Sequence, residues 1–575
     1  MDSRTAAHVL RRIAAYLELN GENRFKTKAY LGAAKGLLAV GADDLKPLYE
    51  SGELAAVRGL GPATLAVVRD LVETGESRYL EQLRESMPEG LLEMLDLPAL
   101  SPAKIRLIHQ ELGIETIEEL EAAARDGRLA KLAKFGPKTA EKILRGIAAA
   151  RDRGSMRLYY HAVVDARQLL TSVRSHPHVA RAEIAGEIRR RLETVAEIEI
   201  VAACDGDPVE VAQSWTRVPG VRRAEGAGAS VSISFADGAH LRLHCVRPGQ
   251  FGAAWWLATG NTDHVRGVVE RLSARGVTAA GDGFTAANGQ ALALSEENAV
   301  YDAAGMSFVE PELREGLGEV EAGARGALPS LIDRGDIRGV LHCHSIYSDG
   351  KASIADMARA ARDRGWSYIG ITDHSQSAFY AGGLSREQVL AQLGEIDELN
   401  EASDGFRILK GIEADILADG RLDYPDEILD RFDFVVGSIH SRLSMDRVAM
   451  TERLLTALDD PHLTILAHPT GRLLLSRPPY DVDLDAIFEK AREVGAAIEL
   501  NADPHRLDLD WRHLHRAKSL GIVVEIGPDA HSTAGLDYME VGVGVARKAW
   551  LEPRDVLNAW PVDEVLSFAR ARRGR

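Results

Sequence analysis

The chain has 575 residues, 45% hydrophobic and 27% charged, with a formal net charge of −17, which excludes a disordered or fibrous protein and argues against a wholly basic nucleic-acid binder. No run approaches the roughly 20 continuous apolar residues of a membrane span, and the start, MDSRTAAHVLRRIAAYLELN, has no signal-peptide core. Three scattered cysteines, Cys204, Cys245 and Cys343, exclude a disulfide framework or a cysteine zinc site and fit a reducing, cytoplasmic location.

Residues 1–155 read as amphipathic helices broken by glycine turns, with 23 Lys+Arg against 23 Asp+Glu. Contact with nucleic acid must then come from local patches. Two turns are alike: VRGLGPATLAVV at 57–68, with Gly59, Gly61 and Thr64, and LAKFGPKTAEKIL at 132–144, with Gly136, Lys138 and Thr139. A weaker relative, LPALSPAKIRLI, lies at 97–108. The pattern leaves backbone N–H groups at a helix start for a phosphate, and Lys134, Lys138, Lys142 and Arg145 surround the second copy. It resembles the helix-hairpin-helix, a module that holds the DNA backbone without reading sequence.

Residues 156–315 alternate strand-like runs (AEIEIVAAC, SVSISFA, HLRLHCV) with helical stretches, and 316–335 is polar, glycine-rich and expected to be a linker. From 336 onward seven apolar runs recur, each ending in His, Asp or Glu: GVLHCH, YIGITDH, RILKGIEAD, FDFVVGSIH, LTILAHP, AAIELNAD and IVVEIGPDAH. They predict a parallel (β/α) barrel, whose chemistry sits at the C-terminal ends of its strands. Ten of the 18 histidines lie in this region, six of them at those ends. The run LHCHSIYSDG, 341–350, shows why: a strand period of two puts His342 and His344 on one face, with Asp349 in the following turn.

The candidate ligands are His342, His344, Asp349, His374, Glu413, His440, His468, Asp529 and His531. Nine nitrogen and oxygen donors exceed one ion's needs, so a cluster of two or three divalent ions is expected. The absence of thiolate favours Mn²⁺, Zn²⁺ or Fe²⁺ over a structural zinc site. Such clusters stabilise attacking and leaving oxygens in phosphoester displacement.

These motifs resemble the PHP (polymerase and histidinol phosphatase) phosphoesterase domain over residues 336–575. The resemblance implies that His342, His344, Glu413 and Asp529 hold one ion and Glu413 with His440 a second, with Asp349, His374, His468 and His531 completing the cluster. In NADPHRLDLD, 501–510, Arg506 is a phosphate contact and Asn501 its orienter by the same resemblance.

Helix-hairpin-helix modules, an α/β region and a PHP domain, in that order, resemble the bacterial family X DNA polymerases along the whole chain. The implied fold is multidomain α and α/β. It has a helical DNA-binding domain (1–90), helix-hairpin-helix fingers (91–155), a nucleotidyltransferase-like palm (156–247), a thumb (248–315), the linker (316–335) and a (β/α)7 PHP barrel (336–575). GEIRRRLETVAEIEIV, 186–201, resembles the palm motif, and FGAAWWLATGN, 251–261, the thumb entry.

The palm departs from the family where its chemistry is made. Glu197 and Glu199 replace the first two aspartates that hold Mg²⁺ or Mn²⁺ around the dNTP, and Arg242 replaces the third; an arginine repels a cation. The only nearby alternative ligands are His244 and, more remotely, Asp237. Glu187 replaces the motif serine and Arg191 a glycine, whereas Arg190 keeps the place of a phosphate-binding arginine. Octahedral Mg²⁺ geometry tolerates such displacement poorly, so polymerase activity is expected to be lost or weak. Val67 stands where animal DNA polymerase beta keeps its lyase lysine, while Lys26, Lys28 and Tyr30 match the 5′-phosphate-binding stretch.

The expectation is therefore a DNA-repair enzyme, a metal-dependent 3′→5′ exonuclease acting as a monomer on gapped or 3′-ended duplex. Two rivals stand beside it. One is an Mn²⁺-dependent gap-filling polymerase proofread by the barrel; the other is a scaffold whose barrel hydrolyses a small phosphoester.

Overall fold

A computed structural model describes residues 3–574 apart from 21–23, 41, 43–44, 75–76, 78, 81–82, 84–90, 92–93, 95–96, 98–99, 133–134, 155, 227, 236–238, 281–282, 287, 291 and 293. Lys134 and Asp237 lie outside the described residues. The chain forms two compact units, 1–154 and 155–575. Among the described residues no helix is long and apolar enough to cross a membrane.

The first unit is helical. Pro62, Pro102 and Pro137 each open a helix (Pro62–Thr74, Pro102–Leu112 and Pro137–Gly154), a position where the missing N–H costs nothing and the fixed φ is already helical. Gly59 has φ +98, and a Cβ there would lie 2.6 Å from the Gly32 carbonyl oxygen, so that hairpin requires glycine. Val67 and Val68 are buried in this unit's core with Leu54 and Leu71.

The second unit opens with a five-stranded sheet. Ile198–Cys204 pairs antiparallel with Val179–Ala185 and parallel with His240–Val246; Ser230–Phe235 and Val221–Glu225 extend it. Helices Tyr159–Arg174 and Pro208–Trp215 pack on this sheet. The helices Phe251–Thr259 and Thr262–Ala274 follow, around the fully buried Trp256.

The segment 316–335 is packed, correcting its reading as a linker. Its helix Glu319–Arg325 begins after Gly318 (φ +95) and ends at Gly326 (φ +65), so these glycines cap a helix and do not supply flexibility. Glu319 is fully buried, 2.8 Å from His264 Nδ1, and His264 Nε2 lies 3.0 Å from the Tyr301 hydroxyl.

Beyond it, among the described residues, seven parallel strands close on themselves. They begin at Gly339, Tyr368, Arg407, Val435, Leu463, Ala497 and Val524, the third continuing through Glu413–Asp415. The parallel bridge Cys343↔Ala530 joins last to first, and His374↔Glu413 ties the second to the third. Most residues of these strands are buried, and helices cover the ring, which explains their near-continuous apolar sequences.

Candidate metal centre and palm cleft

Five of the seven barrel strands deliver a ligand just beyond their last regular pair; Glu413 lies within the paired segment Glu413–Asp415, and the sixth strand, Ala497–Asn501, ends in Asn501 and supplies no ligand. His342 and His344 follow Gly339–Val340; a Cβ at Gly350 would lie 2.6 Å from the His344 carbonyl oxygen, so only glycine lets the 345–350 turn bring Asp349 back over the site. His374, Glu413, His440, His468, Asp529 and His531 come from the next strands in turn. His468 (φ +27) and Asp529 (φ +48) take up positive-φ backbone conformations that are uncommon outside glycine, in the site itself.

Eight of the nine candidates fall into ion-sized groups; His468 touches Glu413 but joins none of them. Glu413 is central: its Oε2 lies 2.8 Å from His374 Nδ1 and 3.5 Å from His342 Nε2, its Oε1 3.0 Å from His468 Nε2 and 3.4 Å from His440 Nε2. Asp529 Oδ1 lies 3.2 Å from His344 Nε2, and Asp349 Oδ1 3.2 Å from His531 Nε2. Three ion-sized groups result: His342, His344 and Asp529; His374, Glu413 and His440; and His344, Asp349, His374 and His531. The first group lacks the Glu413 expected in it, and the second adds His374 to the expected pair.

The donor set fits divalent ions. His342 Nε2, both ring nitrogens of His344 and Glu413 Oε2 are buried with no hydrogen-bond partner among the described residues, an arrangement that is expensive unless something cationic binds there. The electrostatics agree. Burial, helped by His531 and His374, pulls His344 down to about 3, a neutral ligand. Burial opposes ionisation of Glu413 and Asp529, yet the surrounding imidazoles hold both well below the usual carboxylate range.

Three buried carboxylates missing from the sequence reading orient the ligands. Glu499 lies 2.5 Å from His342 Nδ1 and accepts from the His468 N–H, which leaves His342 Nε2 aimed inward. Asp415, 2.7 Å from His440 Nδ1, does the same for that ring. Asp373 accepts from the Ser345 N–H and hydroxyl and from Ser348, bracing the turn that carries Asp349. Two were signalled by period two, Asp415 beside Glu413 and Glu499 beside Asn501; Asp373 precedes His374 directly.

Arg506 reaches the centre, its Nε 3.6 Å from Asp529 Oδ2. Asn501, expected to orient Arg506, instead directs its amide to Asp529 Oδ2 at 3.1 Å and Glu499 Oε2 at 3.3 Å. It sits on a strand ending beside Asp529, with Arg506 in the loop beyond.

The palm carries a cleft of about 730 Å³, lined by Glu187, Glu197, Glu199, Arg242 and His244. Register places Arg242 opposite Glu199, and its guanidinium reaches across to Glu197 Oε2 at 2.8 Å while Ser232 donates to Glu197 Oε1 at 2.9 Å. His244 Nε2 stands 3.6 Å from Glu199. Glu187 turns back to accept from the Ala196 N–H at 2.7 Å, and its burial pushes its pKa up. Arg190 is committed elsewhere, to Glu315 at 2.9 Å and the Thr259 carbonyl at 2.7 Å.

In the helical unit, the Gly61 N–H donates to Thr64 Oγ1 at 2.9 Å, so the threonine caps a group that was expected to be open to phosphate. Gly136 and Thr139 are half-buried and Lys138 is exposed. Tyr30 is buried and stacked on Tyr79 with Lys26 over that ring, which makes Tyr30 a support and not a surface contact; Lys28 is exposed.

The fold and these sites define a polymerase-like core joined to a barrel built for divalent metal. Family models agree: a SAM-like helix-hairpin-helix tandem matches residues 91–149, the DNA polymerase beta thumb 254–315 and the PHP domain 341–501. The chain is 37% identical over 580 residues to the DNA polymerase/3′-5′ exonuclease PolX of Bacillus subtilis, covering 99% of this chain and all of that one. Shorter relatives match part of the chain. A probable phosphatase of Caldanaerobacter subterraneus is 29% identical over 41% of this chain and 91% of its own, and one of Thermoanaerobacter is 29% identical over 38% and 88%. The chain belongs to the bacterial family X DNA polymerases that carry a C-terminal PHP domain.

Proposed function

We propose that this protein is a metal-dependent 3′→5′ exonuclease of DNA repair, cleaving phosphodiesters in the barrel, with a palm that no longer transfers nucleotides efficiently. The observation that carries the reading is the contrast in charge satisfaction: in the barrel Glu413 is ringed by imidazoles, and His342 Nε2 and both ring nitrogens of His344 are buried with no hydrogen-bond partner among the described residues, whereas Glu197 is already neutralised by Arg242. His342, His344, Asp349, His374, Glu413, His440, His468, Asp529 and His531 would hold the ions. Mn²⁺, Zn²⁺ or Fe²⁺ bound there would lower the pKa of an attacking water and offset charge on the phosphoryl oxygens. The chain's own groups do the rest. Glu499 and Asp415 fix ring orientation, Asp373 holds the Asp349 turn, and Arg506 offers its guanidinium to the scissile phosphate. The helix-hairpin-helix turns would hold the duplex while its 3′ end is processed.

Chelated protein reloaded with Mn²⁺ should shorten a 5′-labelled strand from its 3′ end, and His344→Ala or Glu413→Ala should not. Full activity in both variants would sink the assignment. A gap-filling polymerase is the second reading: the Bacillus relative bears both activities in its name, and Glu197 and Glu199 still share one strand face.

A further inference from the structure

The palm and the barrel belong to one compact unit, and the segment Arg190–Glu193 meets the barrel at three points. Buried Lys548 donates to the Arg190 carbonyl at 3.1 Å. Arg191, in the left-handed conformation at φ +59, packs against a helix at Gly544, where a Cβ would be 3.1 Å from Arg191 Cδ. This arginine also donates to the Tyr159 hydroxyl. Third, the Glu193 carboxylate binds the Arg472 guanidinium, with both side chains about nine-tenths buried.

Arg472 lies four residues past the ligand His468, and its other bonds all go to the loop that bears Arg506. Its Nε donates to the Arg506 carbonyl at 3.1 Å, its Nη1 to Asp510 Oδ2 at 3.0 Å and its Nη2 to the Leu507 carbonyl. Thr470 holds the same loop through the fully buried Asp508, at 3.1 and 2.8 Å. The palm end is fixed in turn, because the Tyr159 N–H donates to the Glu193 carbonyl at 3.0 Å. A continuous chain of bonds therefore runs from the palm motif through Arg472 to the backbone of Arg506, whose side chain stands at Asp529.

We propose that Glu193 is a positioning residue for the barrel's reaction: its carboxylate fixes Arg472, which holds the 501–510 loop so that Arg506 meets the substrate phosphate. The inference rests on the phosphodiesterase reading given above. It also gives the palm motif a use independent of nucleotide transfer, since Arg191 and Glu193 serve the interface with the barrel. Removing the carboxylate leaves Arg472 without one of its two anions, and the loop relaxes while the metal ligands keep their own supports at Glu499 and Asp415.

The test is a double-mutant cycle in the full chain, loaded with Mn²⁺ and assayed on a 5′-labelled oligonucleotide. Glu193→Ala should raise KM about tenfold, the scale of losing one charge-assisted contact, with a smaller change in kcat and unaltered Mn²⁺ stoichiometry. Glu193→Gln, nearly isosteric, should fall between it and wild type, and Glu193→Asp should restore part of the loss. Arg506→Ala should reproduce the KM effect, and the pair Glu193→Ala with Arg506→Ala should be no worse than Arg506→Ala alone, because both remove one interaction. Additive losses, or an unchanged KM in Glu193→Gln, would overturn the proposal. Absence of nuclease activity in wild type would instead overturn the reading on which it rests. Should Glu193→Ala not fold, Glu193→Gln and Glu193→Asp decide the matter in the same assay.

Discussion

The barrel centre and the palm cleft both gather acids on strand ends, yet they settle their charge in opposite ways. In the barrel, Glu413 is ringed by imidazoles and Asp529 lies among His344, Asn501 and Arg506, while His342 Nε2 and both ring nitrogens of His344 are buried with no hydrogen-bond partner among the described residues. In the palm, Glu197 meets Arg242 and Ser232, and Glu199 has His244 nearby. Acidic residues alone do not make a metal site. What distinguishes one is a set of imidazoles gathered about a central carboxylate, together with neighbours that orient donors toward a common point.

The largest effect expected from this contrast lies in ion binding. Mn²⁺ at about 100 times its Kd should stabilise wild type by about 2.7 kcal/mol per site, and calorimetry should show that gain reduced or gone in His344→Ala. An undiminished gain would place the ions elsewhere. Next come the orienting carboxylates: Glu499→Gln and Asp415→Asn should weaken metal affinity about 10- to 100-fold, whereas Glu197→Gln in the palm should leave it unchanged. Equal weakening by all three would erase the distinction between the sites.

Smaller is a pH effect at the contact between the two regions. Burial pulls the Lys548 ammonium down to about 8 despite Glu315 beside it, against about 10.4 for an ordinary lysine. Below both values the folded and unfolded chains each carry the proton, and the full penalty applies. Between them the unfolded chain binds the proton that the folded chain has released, so this group raises stability as pH climbs. The melting temperature of wild type should therefore gain on that of Lys548→Met from about pH 7.5 to about 9.5; a difference flat with pH would refute it. Smallest is Lys138→Ala at the exposed second hairpin, which should weaken duplex binding at every sequence and reduce the salt slope by about 1.

Much of the barrel was legible in the sequence because its rules are local. A strand period of two and ligands at most of the strand ends locate His342, His344 and Glu413 without knowledge of distant contacts. The orienting residues were harder, since Asp373 and Glu499 differ from ordinary buried acids only through partners up to 157 positions away. Segment 316–335 misled for a related reason. Its glycines read as flexibility, but two of them cap a helix whose Glu319 is held by His264, 55 residues distant. Likewise the palm's substitutions were visible as departures, while the role of Glu193 depends on Arg472, far along the chain.

The central claim, that the barrel is the working site and the palm is self-neutralised, meets its most direct test on a gapped duplex with a 5′-labelled primer. Wild type and His344→Ala would be incubated side by side with Mn²⁺ and all four nucleotides. The account predicts that wild type only shortens the primer and that the variant leaves its length unchanged. Primer lengthening by His344→Ala would contradict it, showing that Glu197 and Glu199 still hold catalytic metal despite Arg242.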